Sequence, residues 1–146
     1  MDRYIEFALN HYILILALLT VTYLLIHEFF DAALKKFGTV SPMIAVTKMN
    51  NGNTVVLDVR EHDEFNKGHI EGAVNIPFSK IKEHESSLDA YKNNQVLIVC
   101  QDGSRSSAAG KIITKNDAIK EVFVISGGMQ AWQEDYKLPV KIGRKQ

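Results

Sequence analysis

The sequence predicts an α/β domain with a central, mainly parallel sheet flanked by helices, and one apolar helix ahead of it. Three observations carry this expectation. Phe7 to Ile26 is a run of twenty residues with no formally charged side chain, His11 counted as neutral. Beyond it, the runs Thr54 to Val59, Val96 to Val99 and Val122 to Ile125 alternate with helix-patterned segments, the order that builds α/β layers. The last two are apolar without interruption and rich in β-branched residues, as strands covered on both faces are.

Length and charge narrow the class. A chain of 146 residues has room for one ordinary domain. The 17 basic and 17 acidic residues balance, which argues against a nucleic-acid-binding domain and its usual basic excess. A single cysteine excludes an internal disulfide and fits a reducing compartment. That cysteine and His11, His27, His62, His69 and His84 lack ligand spacing, so neither a metal site nor a cofactor is expected.

The first forty residues read as a membrane anchor and connector, with the span at about 7–26. A helix of that length covers about 30 Å, the thickness of a bilayer's hydrocarbon. Its centre, Ile13 to Leu19, is apolar on every face, unlike an amphipathic surface helix. Tyr4, Tyr12 and Tyr23 suit the interfaces. A cleaved signal peptide is the alternative, but Arg3 is offset by Asp2 and Glu6, and no small-x-small site follows Ile26. An uncleaved single-pass anchor is therefore expected. Lys35 and Lys36 after the span, against Arg3 before it, place the C-terminal domain in the cytoplasm by the positive-inside tendency. His27 to Val40 is the connector, continuing the helix at the membrane surface with Gly38 as its stop.

The domain itself is expected over 41–140. Ser41-Pro42 reads as an N-cap and first-turn proline, followed by Met43, Ile44, Val46 and Met49 packing on the sheet. A turn at 50–53 leads into the strand Thr54 to Val59. Asp58 and Arg60 close that strand, where functional loops of α/β sheets gather. They either help position the neighbouring cysteine loop or pair to tie down backbone, and the rule that buried charges are paired favours the second. His62 to Phe65 starts a short helix, with Phe65 buried. His69 invites a role as activating base, but nothing in the sequence brings it to the cysteine, and turn shaping is the simpler reading. A short strand at Ala73 to Ile76 ends at Pro77. Helical turns between Phe78 and Tyr91 point Ile81 and Leu88 inward, while Lys80, Lys82, Glu83 and Glu85 form a solvated face.

The chemistry concentrates in Val96 to Ser107. Cys100 sits where the strand ends, Gly103 permits a tight loop, and a helix runs from Ser104 through Ala108, Ala109, Ile112 and Ile113 to Lys115. Loop amides, the positive end of that helix and Arg105 would all stabilise an anionic sulfur. The plainer alternative is a small buried hydrophobe. Asn116-Asp117 caps the following turn. Gly127-Gly128 starts the last helix, whose Met129 and Trp132 read as core, and the glycine pair carries no phosphate fingerprint. The tail 141–146 is basic and suits acidic lipid headgroups.

Cys100-x-x-x-x-Arg105-Ser106 resembles the active loop of rhodanese-type sulfurtransferases. Val56-Leu57-Asp58-Val59-Arg60 with Glu64-Phe65 is similar to the family's DVR…EF segment. Gly68 to Pro77 resembles its GHIPGAINIP segment, and Ser126 to Trp132 its GG…W segment, with Leu138-Pro139 closing the domain. The resemblance spans roughly Ser41 to Val140. It implies that Cys100 is the nucleophile, taking a sulfane sulfur from thiosulfate or a persulfide and passing it to a thiol or protein acceptor. It also implies that the amides of Gln101, Asp102, Gly103, Ser104 and Arg105 hold the charged sulfur, and that Arg105 attracts an anionic donor.

Asp102 departs from the pattern, because efficient thiosulfate users often carry basic residues in this loop. A carboxylate there opposes a dianion, so Asp102→Lys is expected to improve thiosulfate kinetics. Two other functions fit less of the sequence. Cysteine phosphatases use the same anion cradle, but with five residues between cysteine and arginine, against four here. A non-catalytic, membrane-tethered adaptor for membrane proteins would explain the anchor, but not the complete cysteine-to-arginine loop.

Overall fold

The computed structural model describes residues 11–33, 36–115, 119 and 121–143. The expected start of the span at residue 7, the turn at Asn116-Asp117 and the end of the basic tail lie outside these residues. The chain divides into two units, residues 1–35 and 36–146.

In the first unit, helix α1 (Tyr12–Ala33) contains a 19-residue stretch, Tyr12–Phe30, long and apolar enough to cross a membrane by length and composition. Its apolar side chains are exposed, among them Leu14, Leu18, Tyr23 and Phe29. The two threonines inside it do not break the pattern. Thr20 and Thr22 each donate their hydroxyl to a carbonyl one turn back, Leu16 and Leu18, at 2.8 Å.

The second unit is built on five parallel strands, β1 (Gly38–Val40), β2 (Thr54–Asp58), β3 (Val74–Asn75), β4 (Gln95–Val99) and β5 (Glu121–Ile125). Their order across the sheet is β1-β5-β4-β2-β3. The helices are α2 (Pro42–Asn50), α3 (His62–Lys67), α4 (Glu85–Leu88), α5 (Ser104–Ile113) and α6 (Gly128–Gln130), the last continuing as a wider turn over Ala131–Asp135. Side chains alternate between the two faces of the sheet. Leu57, Val96, Ile98, Val122 and Val124 pack with Ala109 and Ile113 of α5 on one side. Val56, Leu97, Val99 and Ile125 pack with Ala45, Met129 and Trp132 on the other. Both faces are covered, as the continuous apolar runs predict.

Four local expectations need correction. Met43 and Ile44 are exposed, and of the four side chains expected on the sheet only Val46 and Met49 pack against the core. Gly38–Val40 is not part of a connector but the edge strand β1, paired with Phe123–Ile125 of β5. Three residues are too short to show a period, so the sequence offered no strand signal there. Glycine is required at 38, since a Cβ would lie 2.7 Å from the Phe123 ring. Phe65 is half-buried rather than buried, and its ring stacks on that of His69 with 3.8 Å between centroids. The tail does not leave the domain at 141. Lys141 and His69 exchange backbone hydrogen bonds of 2.9 and 2.8 Å, and the Gly143 amide donates to Asn66 at 3.0 Å.

The strand order places the site. From β2 the chain proceeds to β3 on one side, and from β4 to β5 on the other. The order therefore reverses between β2 and β4, and crevices form at the carboxyl ends of such a pair. Asp58 and Val99 are partners across that gap, and Cys100 follows Val99.

Candidate active site

Cys100 leaves β4 fully buried, with three polar contacts around its sulfur. The Gly103 amide donates to Sγ at 3.1 Å. The Ser106 hydroxyl lies 3.4 Å away, itself buried and donating to the Gly103 carbonyl at 3.0 Å. The thiol donates to Asp102 Oδ1 at 3.6 Å. Gly103 serves as N-cap of α5 at φ +103°, a left-handed conformation that turns its amide toward the sulfur and opens the helix directly behind it.

Of the five loop amides expected to ring the sulfur, Gly103 supplies one and Ser104 is diverted. The Ser104 amide and hydroxyl both donate to Asp102 Oδ1, at 3.0 and 2.7 Å. These bonds hold the Asp102 carboxyl below its ordinary range. Asp102 is exposed, and among the described residues it makes no ion pair.

Arg105 is paired with a carboxylate. Its Nη1 and Nη2 donate to the two carboxylate oxygens of Glu64, at 2.7 and 2.8 Å, in a bidentate pair. The bond to Arg105 lowers the Glu64 carboxyl, and Glu64 in turn raises the guanidinium. Glu64 is the residue the sequence reading missed. It stood within a quoted motif, but its partner is 41 positions away, and no local signal joins them.

Asp58 and Arg60 form a second pair, both buried. Arg60 Nε lies 3.0 and 3.1 Å from the Asp58 oxygens, and Nη2 lies 2.7 Å from Oδ2. Nη2 also donates to the Gly68 carbonyl at 2.7 Å, and Nη1 reaches Gln101 Oε1 at 3.5 Å. The pair thus anchors the turn before β3 and touches the cysteine loop at its first residue. His69 takes no part at the sulfur. Its Nδ1 lies 2.9 Å from the Phe65 carbonyl and its backbone pairs with Lys141.

The far wall of the loop is the start of α6. The Met129 and Gln130 amides donate to the carbonyls of Cys100 and Gln101, at 2.8 and 2.9 Å. Gly128 makes this possible, for a Cβ there would meet the Cys100 oxygen at 2.4 Å. The glycine pair acts by close backbone approach. Among the described residues no cluster of metal-ligating side chains is present. The arrangement is a buried thiol facing a backbone donor at a helix start, able to form and hold a covalent bond at sulfur.

Known proteins share this fold and much of this sequence pattern. The family model described as "Rhodanese-like domain" matches residues 41–135. The uncharacterized protein YibN of Escherichia coli is 28% identical over 145 residues, covering 99% of this chain and 100% of that protein. The thiosulfate sulfurtransferase GlpE of Coxiella burnetii is 27% identical over 97 residues, covering 66% of this chain and 88% of that enzyme. The crystal structure of a rhodanese-related protein from Thermoplasma volcanium superposes with a TM-score of 0.62 at 30% identity, over 73% of this chain and 99% of that one.

Proposed function

This chain belongs to the rhodanese-like domain family, and from that premise we propose that it is a sulfurtransferase working through a Cys100 persulfide. The Cys100 thiolate attacks the outer sulfur of a sulfane donor. The donor's S–S bond breaks, its remainder leaves with the electron pair, and Cys100 carries the transferred sulfur. With thiosulfate the leaving group is sulfite; with a persulfide it is a thiolate. A thiol or protein cysteine then takes the sulfur and restores Cys100. The observation that carries this reading is the Gly103 amide 3.1 Å from Sγ, at the start of α5. A preorganised donor of that kind stabilises charge developing on sulfur.

The reading extends to the membrane. In this reading α1 is a single-pass anchor, supported by its length and apolar composition, and Lys35 and Lys36 against Arg3 favour a cytoplasmic domain. A second role, as adaptor for a membrane protein, draws on the same helix and is compatible with sulfur transfer.

Intact-mass spectrometry of the full chain in uncharged detergent tests the chemistry. Incubation with thiosulfate or cysteine persulfide should add one sulfur atom, which cyanide or excess thiol removes and which Cys100→Ser never acquires. Labile sulfur retained by Cys100→Ser would overturn the assignment.

A further inference from the structure

We propose that Asp102 and Glu64 together make this site selective for sulfane donors of low negative charge, persulfides of neutral thiols, over the thiosulfate dianion. The inference rests on the sulfur-transfer reading above. It starts from accessibility. Cys100 has no exposed surface, and of the residues whose polar groups touch its sulfur, Asp102 is the exposed one. A donor reaches Sγ past that carboxylate. The carboxylate cannot swing aside freely, since the Ser104 amide and hydroxyl both hold Oδ1.

The charge balance points the same way. Among the described residues bonded at or beside the loop are two guanidiniums and three carboxylates. Asp58 cancels Arg60 in the buried pair, and Glu64 occupies both terminal nitrogens of Arg105. Asp102 has no ion-pair partner among the described residues, so these five groups sum to one negative charge. A sulfonate group finds the arginine fork already filled. Thiosulfate brings two negative charges to this entrance and releases sulfite, which carries two away. A persulfide of a neutral thiol brings one negative charge when ionised and none as R–S–SH, the form that reacts. Sγ attacks its outer sulfur, the S–S bond breaks, and R–S⁻ leaves with the electron pair and takes a proton from water. The family's anion cradle is thus retained for the transferred sulfur, while the approach to it repels a dianion.

Because persulfides are intrinsically the more reactive donors, the test reads salt dependence and ratios rather than bare rates. Loading of the full chain in uncharged detergent is followed by intact mass, with thiosulfate and with cysteine persulfide, from low to high potassium chloride. Like-charge repulsion is screened as the Debye length shrinks from about 30 Å at 0.01 M to about 8 Å at 0.15 M. Thiosulfate loading should therefore accelerate severalfold with salt, and accelerate more than persulfide loading. Asp102→Asn should raise the thiosulfate-to-persulfide ratio about tenfold and flatten the salt effect, as expected for removing one charge about 4 Å from a dianion in wet surroundings. Glu64→Gln, which frees the Arg105 fork, should move the ratio in the same direction. Thiosulfate loading that slows with salt, or a ratio that neither variant moves, would overturn the donor preference while leaving sulfur transfer in place. Failure of both donors to load Cys100 would overturn both.

Discussion

The cysteine loop is flanked by two arginine–carboxylate pairs of similar geometry and opposite circumstance. Asp58 and Arg60 are two residues apart and have almost no exposed surface; Glu64 and Arg105 are 41 apart and about a third exposed. In the first pair, desolvation has been offset by saturating the charges. Asp58 accepts from the Arg60 backbone amide as well as its side chain, and Arg60 donates onward to Gly68. Neither member can leave without stranding the other in the core. In the second pair water still reaches both groups, so each can be changed with little structural loss. The buried pair is a fixture of the fold, and the exposed pair is a setting of the site's charge.

The largest expected effect breaks the buried pair. Arg60→Met preserves much of the side-chain volume but leaves the Asp58 carboxylate uncompensated. Removing one partner of a buried pair costs about 3–5 kcal/mol. Urea unfolding of the full chain in uncharged detergent can be read from Trp132, the chain's sole tryptophan, which is buried in the domain. A loss below about 1 kcal/mol, the range of exposed pairs, would erase the distinction between the two.

The same contrast explains what the sequence could convey. Asp58 and Arg60 lie on one strand end, so their meeting could be anticipated from adjacency. So could the loop from Cys100 to Arg105, whose residues are neighbours along the chain. The parallel sheet was legible because β2, β4 and β5 are built around the apolar runs Val55 to Leu57, Val96 to Val99 and Val122 to Ile125. The Glu64–Arg105 pair was not legible, because it forms only when α3 and α5 come to the same end of the sheet. β1 was hidden for a related reason. Its three residues become a strand through pairing with β5, not through any pattern of their own. The diversion of the Ser104 amide to Asp102 depends on a loop conformation that residue types alone do not specify.

A second substitution sharpens the comparison by disturbing the loop from the wall that neither pair touches. Gly128→Ala places a Cβ at 2.4 Å from the Cys100 carbonyl and at 2.7 Å from that of Gln101, at φ +57°. The contacts are backbone, so the loop itself must move. Overpacking together with a left-handed backbone at a non-glycine residue costs about 2–4 kcal/mol. The Met129 amide loses its alignment with the Cys100 carbonyl, and Sγ shifts relative to the Gly103 amide. Sulfur loading should fall at least about tenfold, since small misplacements of reacting groups are costly. Arg60→Met acts mainly on stability; Gly128→Ala should lower both stability and loading. Unaltered loading in a folded Gly128→Ala protein would show that the wall of α6 does not position the sulfur.

The smallest effect belongs to the exposed pair, and its sign with pH identifies it. Arg105 holds the Glu64 carboxyl below its ordinary value of 4.5. A depressed carboxyl favours the folded state above that ordinary value, and the contribution is lost as pH falls below it through the folded value. At neutral pH, Glu64→Gln should therefore cost no more than about 1 kcal/mol. The difference in urea midpoint between wild type and variant should hold constant well above pH 4.5 and close progressively below it. Added salt should narrow it as well, because water and ions reach the pair. A gap that persists in acid would mean that Glu64 supports the fold through packing rather than charge. In that case the donor choice would have to be read from Asp102→Asn alone. A gap that closes in acid separates the two pairs cleanly, one anchoring the loop and the other setting the charge at its entrance.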